Sequence, residues 1–318
     1  MISMSASAGG GPTPWYAWVI LFLSLLAVSS AGAVFQLIDG VAPLTKAAWR
    51  LQATTMVLLP GFIWQYRRAD ADLRRRCVES AGLLTASGVF LAIHFGTWLI
   101  SLEHTTLTHS LLFVTAHPLV IIVGLWLLRR PASNRQTLGA VIGFAGAATT
   151  LIGGAGEEGV SIFGDLMAFV GAVSIVGYLA AGRSVRGWMP LFLYALPVTL
   201  IGTVILTLWA MLQEGASLSL DEMGGSLGWM SAAWILYVGY LALGPGLFGH
   251  TGINAILRWI PPLVISMTLI MEPVIGSVIG WFLETDVIPG HWTWLGGAMM
   301  VFGTILVTRA NPSAEEVG

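Results

Sequence analysis

The sequence predicts an all-α integral membrane protein: ten transmembrane helices arranged as two inverted five-helix repeats, with both termini in the cytoplasm. Composition is the first observation, because 56% of the 318 residues are hydrophobic and 9% are charged, against about 25% charged in soluble domains. The second is a set of ten apolar stretches, each near the 20 residues that a span needs. The third is a one-sided distribution of arginine. Together they exclude a soluble enzyme and a disordered chain, and the net charge of −2 gives no basic surface for nucleic acid.

Charged residues, glycine and proline mark the ends of the ten predicted spans. In chain order the spans are 15–35, 44–66, 80–101, 107–128, 136–153, 164–182, 190–212, 230–257, 262–283 and 292–309. Trp15 and Trp18 open the first span, as is typical of side chains at a membrane interface. Residues 1–14 have no basic start and no clean cleavage site, so we expect a disordered tail rather than a signal peptide. Residues 310–318 form the C-terminal tail.

The basic residues predict the orientation. Twelve of the 14 Lys and Arg follow spans two, four, six, eight and ten: Arg67, Arg68, Arg74, Arg75, Arg76, Arg129, Arg130, Arg135, Arg183, Arg186, Arg258 and Arg309. The opposite side holds Lys46 and the acidic residues Asp39, Glu103, Glu157, Glu158, Glu214, Asp221, Glu222, Glu284 and Asp286. Basic loops stay in the cytoplasm, so we expect a multi-pass protein of the cell membrane with cytoplasmic termini. If one span were missed, the basic residues would no longer all fall on one side of the membrane.

Span eight is unusual. Its 28 residues would measure about 42 Å as a helix, against a hydrocarbon core of about 30 Å. Gly244-Pro245-Gly246 lies near its middle. Two readings follow: a helix broken beside a cavity, or a tilted and kinked helix that ends in an interfacial turn.

Two segments of the chain resemble each other. One runs from His94 to Pro118, 24 positions, and the other from His250 to Pro273, 23 positions. A tryptophan follows each proline by eight positions, at Trp126 and Trp281. The repeats are therefore predicted at 15–153 and 164–309. Five spans is an odd number, so the second repeat enters the membrane from the opposite side, an arrangement typical of secondary transporters.

Several short motifs carry a family resemblance. They are Trp49-Arg50-Leu51, Gly164-Asp165-Leu166, Leu269-Ile-Met-Glu272-Pro273-Val274, Leu138-Gly139-Ala140 and Leu295-Gly296-Gly297. In their order and spacing the chain resembles the EamA-type members of the drug/metabolite transporter superfamily, over nearly its whole length. Arg129-Arg130 departs from the acidic residue usual after span four, whereas Glu284 matches the one after span nine. The resemblance implies transport of amino acids, other metabolites or drug-like solutes, often as export, but transfers neither substrate nor direction.

Ionisable and polar residues at membrane depth are the candidates for function, because burying them there costs several kcal/mol. The predicted substrate-binding residues are Arg50, His94, Trp98, His117, His250, Asn254 and Glu272.

Each candidate has a chemical role and a structural alternative. Glu272 could bind an amino group or carry a proton, or else hydrogen-bond a neighbouring helix. Arg50 could hold a carboxylate, or else extend to the interface or pair with Asp39. His94 and Trp98 are four residues apart and share a helix face, as do His250 and Asn254. Histidines here can also simply link helices.

The sequence lacks the motifs of other function classes. It has no nucleotide-binding Gly-x-x-x-x-Gly-Lys-Ser/Thr and no His-Glu-x-x-His, and its single Cys77 allows no disulfide framework. We therefore expect no cofactor and no metal. The leading hypothesis is a secondary transporter of a small organic solute in the lipid bilayer, not an enzyme, working as a monomer, with a dimer as the alternative. The competing hypothesis is an intramembrane lipid-modifying enzyme that uses the buried His and Glu; a sensor or scaffold is the third.

Overall fold

A computed structural model describes residues 13–150, 161–284 and 290–310. In these ranges the regular elements are helices, and one isolated bridge pairs Ser217 with Gly225. Several sequence predictions fall outside the described residues. These are the N-terminal tail up to residue 12, the end of span five at 151–153, Glu157, Glu158, Asp286 and the C-terminal tail from residue 311.

The described α-helices and one π-helix occupy ten segments of the chain, at the predicted positions, and a short 3₁₀ helix (Gly228–Met230) precedes the eighth. They are α1 (Trp15–Ser29) with α2 (Ala31–Gln36); α3 (Pro43–Arg68), followed by the short surface helix α4 (Ala71–Glu79); α5 (Ala81–His104); α6 (Leu107–Val114) with α7 (His117–Leu127); α8 (Asn134–Thr149); α9 (Ile162–Arg186); α10 (Leu191–Gln213); α11 (Ile235–Leu241), a π-helix (Ala242–Thr251) and α12 (Gly252–Ile256); α13 (Pro262–Leu269) with α14 (Glu272–Phe282); and α15 (His291–Thr308).

Six stretches among the described residues are long and apolar enough to cross a membrane. They are Trp15–Gln36, Ala81–His104, His109–Leu127, Ile162–Arg186, Leu191–Gln213 and Pro262–Phe282. The other four segments do not meet this measure: α3, which carries Lys46 and Arg50; α8, with 16 residues; the segment that contains the π-helix; and α15. An all-helical membrane protein is thus confirmed, while the count of ten spans stays a prediction.

Spans four and nine, each expected as one run, are both interrupted in the structure. The breaks lie at residues 115–116 and 270–271. Each new helix begins with a residue followed by proline, His117-Pro118 in α7 and Glu272-Pro273 in α14. Proline has no backbone N–H and is well tolerated in the first turn of a helix, where that N–H would be unpaired. The breaks therefore place His117 and Glu272 at helix N-termini in the middle of their spans.

Span eight contains a ten-residue π-helix over Ala242–Thr251, with Pro245 inside it. The Thr251 hydroxyl donates to the Gly246 carbonyl at 3.0 Å, so this carbonyl oxygen of the π-helix has a hydrogen-bond partner. The sequence left a broken helix and a kinked helix open, and the structure has a continuous chain of helix with a widened centre. Such widening is frequent at functional sites.

The most extensive contacts between the two halves of the chain join α5 with α9, α8 with α15, and α3 with α10. Small residues allow the closest of these approaches. A Cβ added at Gly146 of α8 would lie 2.7 Å from the carbonyl oxygen of Gly296 in α15, and one at Gly139 would lie 2.8 Å from that of Gly303. The α8–α15 pair therefore requires glycine at its contact.

The N-terminal end of α3 is fixed by the segment that follows α10. The Glu214 carboxylate accepts the backbone N–H groups of Leu44 at 2.7 Å and Thr45 at 2.8 Å, two donors that the helix leaves unpaired at its start. The Trp49 indole N–H donates to the Gly225 carbonyl at 3.0 Å. These contacts hold the helix that carries Arg50.

Candidate functional site

A small cavity lies inside the helical bundle, with a volume of about 40 Å³ for the centres of water-sized spheres. Helices of both halves form its wall. Six of the seven predicted site residues line it: Arg50 of α3, His94 and Trp98 of α5, His117 of α7, His250 of the π-helix and Glu272 of α14. Apolar side chains such as Val28, Ile175 and Leu269 complete the wall. The structure thus brings these six side chains together; their role in substrate binding stays a prediction.

Arg50 is buried with 1% of its surface exposed, so it does not extend to the interface. Its guanidinium lies 4.3 Å from the centre of the Phe95 ring and 5.8 Å from that of Phe35. Nε and Nη1 have no hydrogen-bond partner in the described part of the chain. Asp39, the suggested partner, instead accepts the backbone N–H of Gly40 at 2.8 Å. Arg50 therefore holds a positive charge on aromatic faces, with free N–H groups.

Glu272 is the first residue of α14. Unpaired N–H groups and the helix dipole make such a position favourable for a negative charge. More than 4.0 Å separates its oxygens from the Arg50 nitrogens, so the two side chains form no direct ion pair. Among the residues that the structure describes, the Glu272 carboxyl has no hydrogen-bond partner. The cavity wall thus presents one carboxyl group and one guanidinium group that form no ion pair with each other.

The histidines and Trp98 add neutral hydrogen-bonding groups. His94 Nδ1 lies 2.9 Å from the carbonyl oxygen of Gly171 in α9. A carbonyl can only accept, so Nδ1 carries the proton and a neutral His94 keeps an accepting lone pair on Nε2. The His94 ring stacks on Trp98 at 6.4 Å between centres and lies 6.0 Å from His250. The Trp98 indole nitrogen and His117 Nδ1 are buried without a partner in the described residues.

Asn254 does not line the cavity. Its side-chain NH₂ donates to the Tyr178 hydroxyl, and its backbone carbonyl accepts from Arg186 Nε at 2.9 Å. The His250 ring also lies 6.4 Å from the Tyr178 ring, so both residues face Tyr178 of α9, as their spacing predicted, but His250 alone of the two lines the cavity.

Sequence reasoning missed Phe95 and Tyr178, both 2% exposed. The Phe95 ring supports the Arg50 guanidinium and lies 5.0 Å from the His250 ring. Tyr178 of α9 lies 6.4 Å from the same ring. A phenylalanine in an apolar helix carries no signal in one sequence. Tyr178 offered one, because a buried tyrosine hydroxyl usually requires a polar partner.

Comparisons with known proteins bear on this arrangement. Residues 14–152 match the EamA-like transporter family. The EamA-type resemblance within the drug/metabolite transporter superfamily is thereby confirmed over the matched residues. A solved structure titled "Crystal structure of protein" aligns with a TM-score of 0.68 at 19% identity, covering 92% of this chain and 96% of that one. A comparison with curated proteins gave no match.

The EamA match and the apolar helices support a multi-pass membrane transporter of the drug/metabolite type. The solved structure shares its fold with both halves of this chain. The alternative of an intramembrane enzyme is not favoured. Proton relay needs contacts of roughly 3 Å, and no hydrogen bond within the described residues joins His94, His117, His250 or Glu272 to one another.

Proposed function

We propose that this EamA-type protein is a secondary transporter that moves an amino acid or a related small metabolite across the cell membrane by alternating access. In this proposal residues 15–153 and 164–309 are two inverted units of five spans each, and the substrate binds between them. The observation that carries the proposal is that Arg50, whose Nε and Nη1 are buried without a partner, and the half-buried Glu272 line one cavity between the halves and form no ion pair.

The charges favour a zwitterionic substrate. A charge held away from water without a partner is costly, and a bound ligand of opposite charge relieves that cost. A carboxylate of the substrate accepts the free N–H groups of Arg50 and the Trp98 indole, and its ammonium group donates to Glu272 and His94 Nε2. An amino acid supplies both groups within one small molecule. His117 and His250 complete the polar wall of the cavity. Asn254 contributes by its hydrogen bond to Tyr178, whose ring lies beside His250.

The size of the cavity supports a contracted state without bound substrate. Since a water needs about 10–15 Å³ of such volume, the cavity has room for about three waters and not for a metabolite. Binding therefore requires the halves to separate on one side of the membrane. The contacts α5–α9, α3–α10 and α8–α15, which join the halves, are the ones that alternating access would rearrange.

The test is flux into vesicles reconstituted with purified protein. Labelled amino acids are compared with a polyamine, which lacks the carboxylate, and a monocarboxylate, which lacks the amine. Loading the solute inside or outside reports direction. We expect flux of zwitterions only, and a reduction of at least about tenfold in Glu272→Gln and His94→Ala, the effect of losing about 1.4 kcal/mol of binding.

Glu103→Gln is the matched control, because this carboxyl pairs with Lys46 at 3.2 Å on the outer side, away from the cavity. It should transport at the wild-type rate. Wild-type flux in both cavity variants would show that the site assignment is wrong. Absence of flux for every solute in the wild-type protein would contradict the transport function itself.

A further inference from the structure

The segment after α3 carries positive charge that the protein does not neutralise. Residues 67–76 hold five arginines and two aspartates. Arg75 pairs with Asp72 at 3.7 Å and with Glu79 at 3.8 Å, and the Asp70 carboxylate accepts the Leu73 N–H at 2.7 Å as the cap of α4. The other four arginines have no acidic partner within 4.0 Å among the described residues: Arg67, Arg68, Arg74 and Arg76. We call these four the arginine patch.

Aromatic rings hold three members of the arginine patch in place. The guanidinium carbon lies 4.5 Å from the Trp64 ring centre for Arg68, 4.5 Å from that of Tyr66 for Arg74, and 4.2 Å from that of Trp188 for Arg76. A guanidinium that rests on a ring keeps its N–H edges available to an anion.

Arg74 is fixed further by a hydrogen bond. Its Nη2 donates to the Tyr66 carbonyl at 2.9 Å. Tyr66 therefore orients this guanidinium through both its ring and its backbone.

The same rings place the patch at the depth of lipid headgroups. Trp64 is 53% exposed and Tyr66 is 46% exposed. Exposed tryptophan and tyrosine at the end of an apolar helix are typical of the membrane interface. The surface of α3 just before them is apolar, with Met56, Leu59 and Ile63 exposed. The arginines thus lie at the depth of the phosphate groups of membrane lipids and not in bulk water.

We propose that the arginine patch binds the phosphate of an anionic phospholipid in the cytoplasmic leaflet. Clusters of four or more basic residues directly beside a membrane helix attract anionic lipid, and each contributes roughly a fivefold increase in affinity near the surface. Because Trp188 belongs to the turn between α9 and α10, the bound lipid lies across the two halves of the chain. The patch is separate from the cavity, so this proposal stands apart from the transport function.

The chain provides a matched control patch. Arg129, Arg130 and Arg135 lie in and beside the 128–133 turn, on the same predicted side of the membrane. Among the described residues no aromatic ring supports any of these three guanidinium groups. They offer a similar charge without the aromatic support.

The experiment measures lipid retention by native mass spectrometry of the full chain, with phosphatidylglycerol or phosphatidylcholine added. We expect the wild-type protein to retain phosphatidylglycerol preferentially. R67Q/R68Q/R74Q/R76Q should bind it at least about tenfold more weakly, whereas R129Q/R130Q/R135Q should resemble the wild type. Equal retention of phosphatidylglycerol by the two variants would overturn the proposal, because binding would then depend on the total positive charge and not on the arginine patch.

Two further measurements complete the test. Glycerol phosphate, which carries the phosphate without acyl chains, should not displace the lipid at millimolar concentration; displacement would overturn the assignment to lipid. W64A/W188A keeps every arginine and removes two rings, and it should also weaken phosphatidylglycerol binding. Unchanged binding in this folded variant would contradict the proposal even where the arginine variant fails to fold.

Discussion

The Arg50 guanidinium and the Glu272 carboxyl line the same cavity, yet more than 4.0 Å separates their charged atoms and no ion pair joins them. They come from helices in different halves of the chain, α3 and α14. Proteins normally pair charges that they bury, because a lone buried charge is costly. The absence of an ion pair between Arg50 and Glu272 therefore favours a role in ligand binding over a role in linking the two helices.

Replacing Arg50 distinguishes these two roles. In Arg50→Gln we expect zwitterion binding, measured by ligand-induced thermal shift, to weaken at least about tenfold. The unfolding temperature without ligand should stay equal or rise, since an unpaired buried charge is removed. Arg50→Lys should recover only part of the binding, because an ammonium lacks the planar fork. A lower unfolding temperature with unchanged ligand binding would make Arg50 structural.

Asn254 and Tyr178, which are joined by a hydrogen bond, are expected to contribute jointly to the free energy of unfolding. Tyr178→Phe and Asn254→Ala should each destabilise the protein, because each leaves a buried polar group unpaired. The double variant should be less destabilised than the sum of the two, with a coupling energy of roughly 0.5–3 kcal/mol. The measurement is equilibrium unfolding of all four proteins in the same detergent, and additive effects would rule out the coupling.

Glycine contacts between α8 and α15 should limit stability. Gly146→Ala places a Cβ 2.7 Å from the carbonyl oxygen of Gly296, so we expect a loss of about 1–3 kcal/mol of unfolding free energy. Gly124→Ala is the control, because nothing lies within 4 Å of its added Cβ. Its stability should match or exceed that of the wild type, since alanine favours helix. Similar losses in both variants would contradict the close contact.

The proline of the π-helix is expected to matter for transport more than for folding. Pro245→Ala supplies the missing backbone N–H and favours regular α-helix, so the unfolding temperature should rise while flux falls. Pro197→Ala is the matched control, because Pro197 also lies inside a helix, α10, that remains α-helical around it. Unchanged flux in Pro245→Ala would show that the π-helix has no part in the transport cycle.

Much of this molecule could be predicted from its sequence. Composition and arginine placement predicted an all-helical membrane protein, and matching His94 with His250 and Pro118 with Pro273 brought attention to residues that share one cavity. The positions of the helix breaks were not predicted, because apolar periodicity continues through residues 115–116 and 270–271, although Pro118 and Pro273 follow the breaks and were an available signal. That Asn254 would hydrogen-bond Tyr178 of α9 rather than line the cavity could not be predicted, because it depends on packing between α9 and α12. The support of Arg50 by Phe95 depends on packing between α3 and α5, which periodicity does not encode.

The π-helix over Ala242–Thr251 also has a mechanical consequence. In an α-helix each residue turns the chain by about 100°, whereas wider π turns take up an additional residue without breaking the helix. If the wide region tightens by one residue, everything beyond it rotates by about that angle while the backbone remains hydrogen-bonded. His250 would then leave the cavity and Asn254 would release Tyr178 in the same movement. We therefore expect α12 to rotate between two ligand states, and labels on α12 that report no rotation would contradict this expectation.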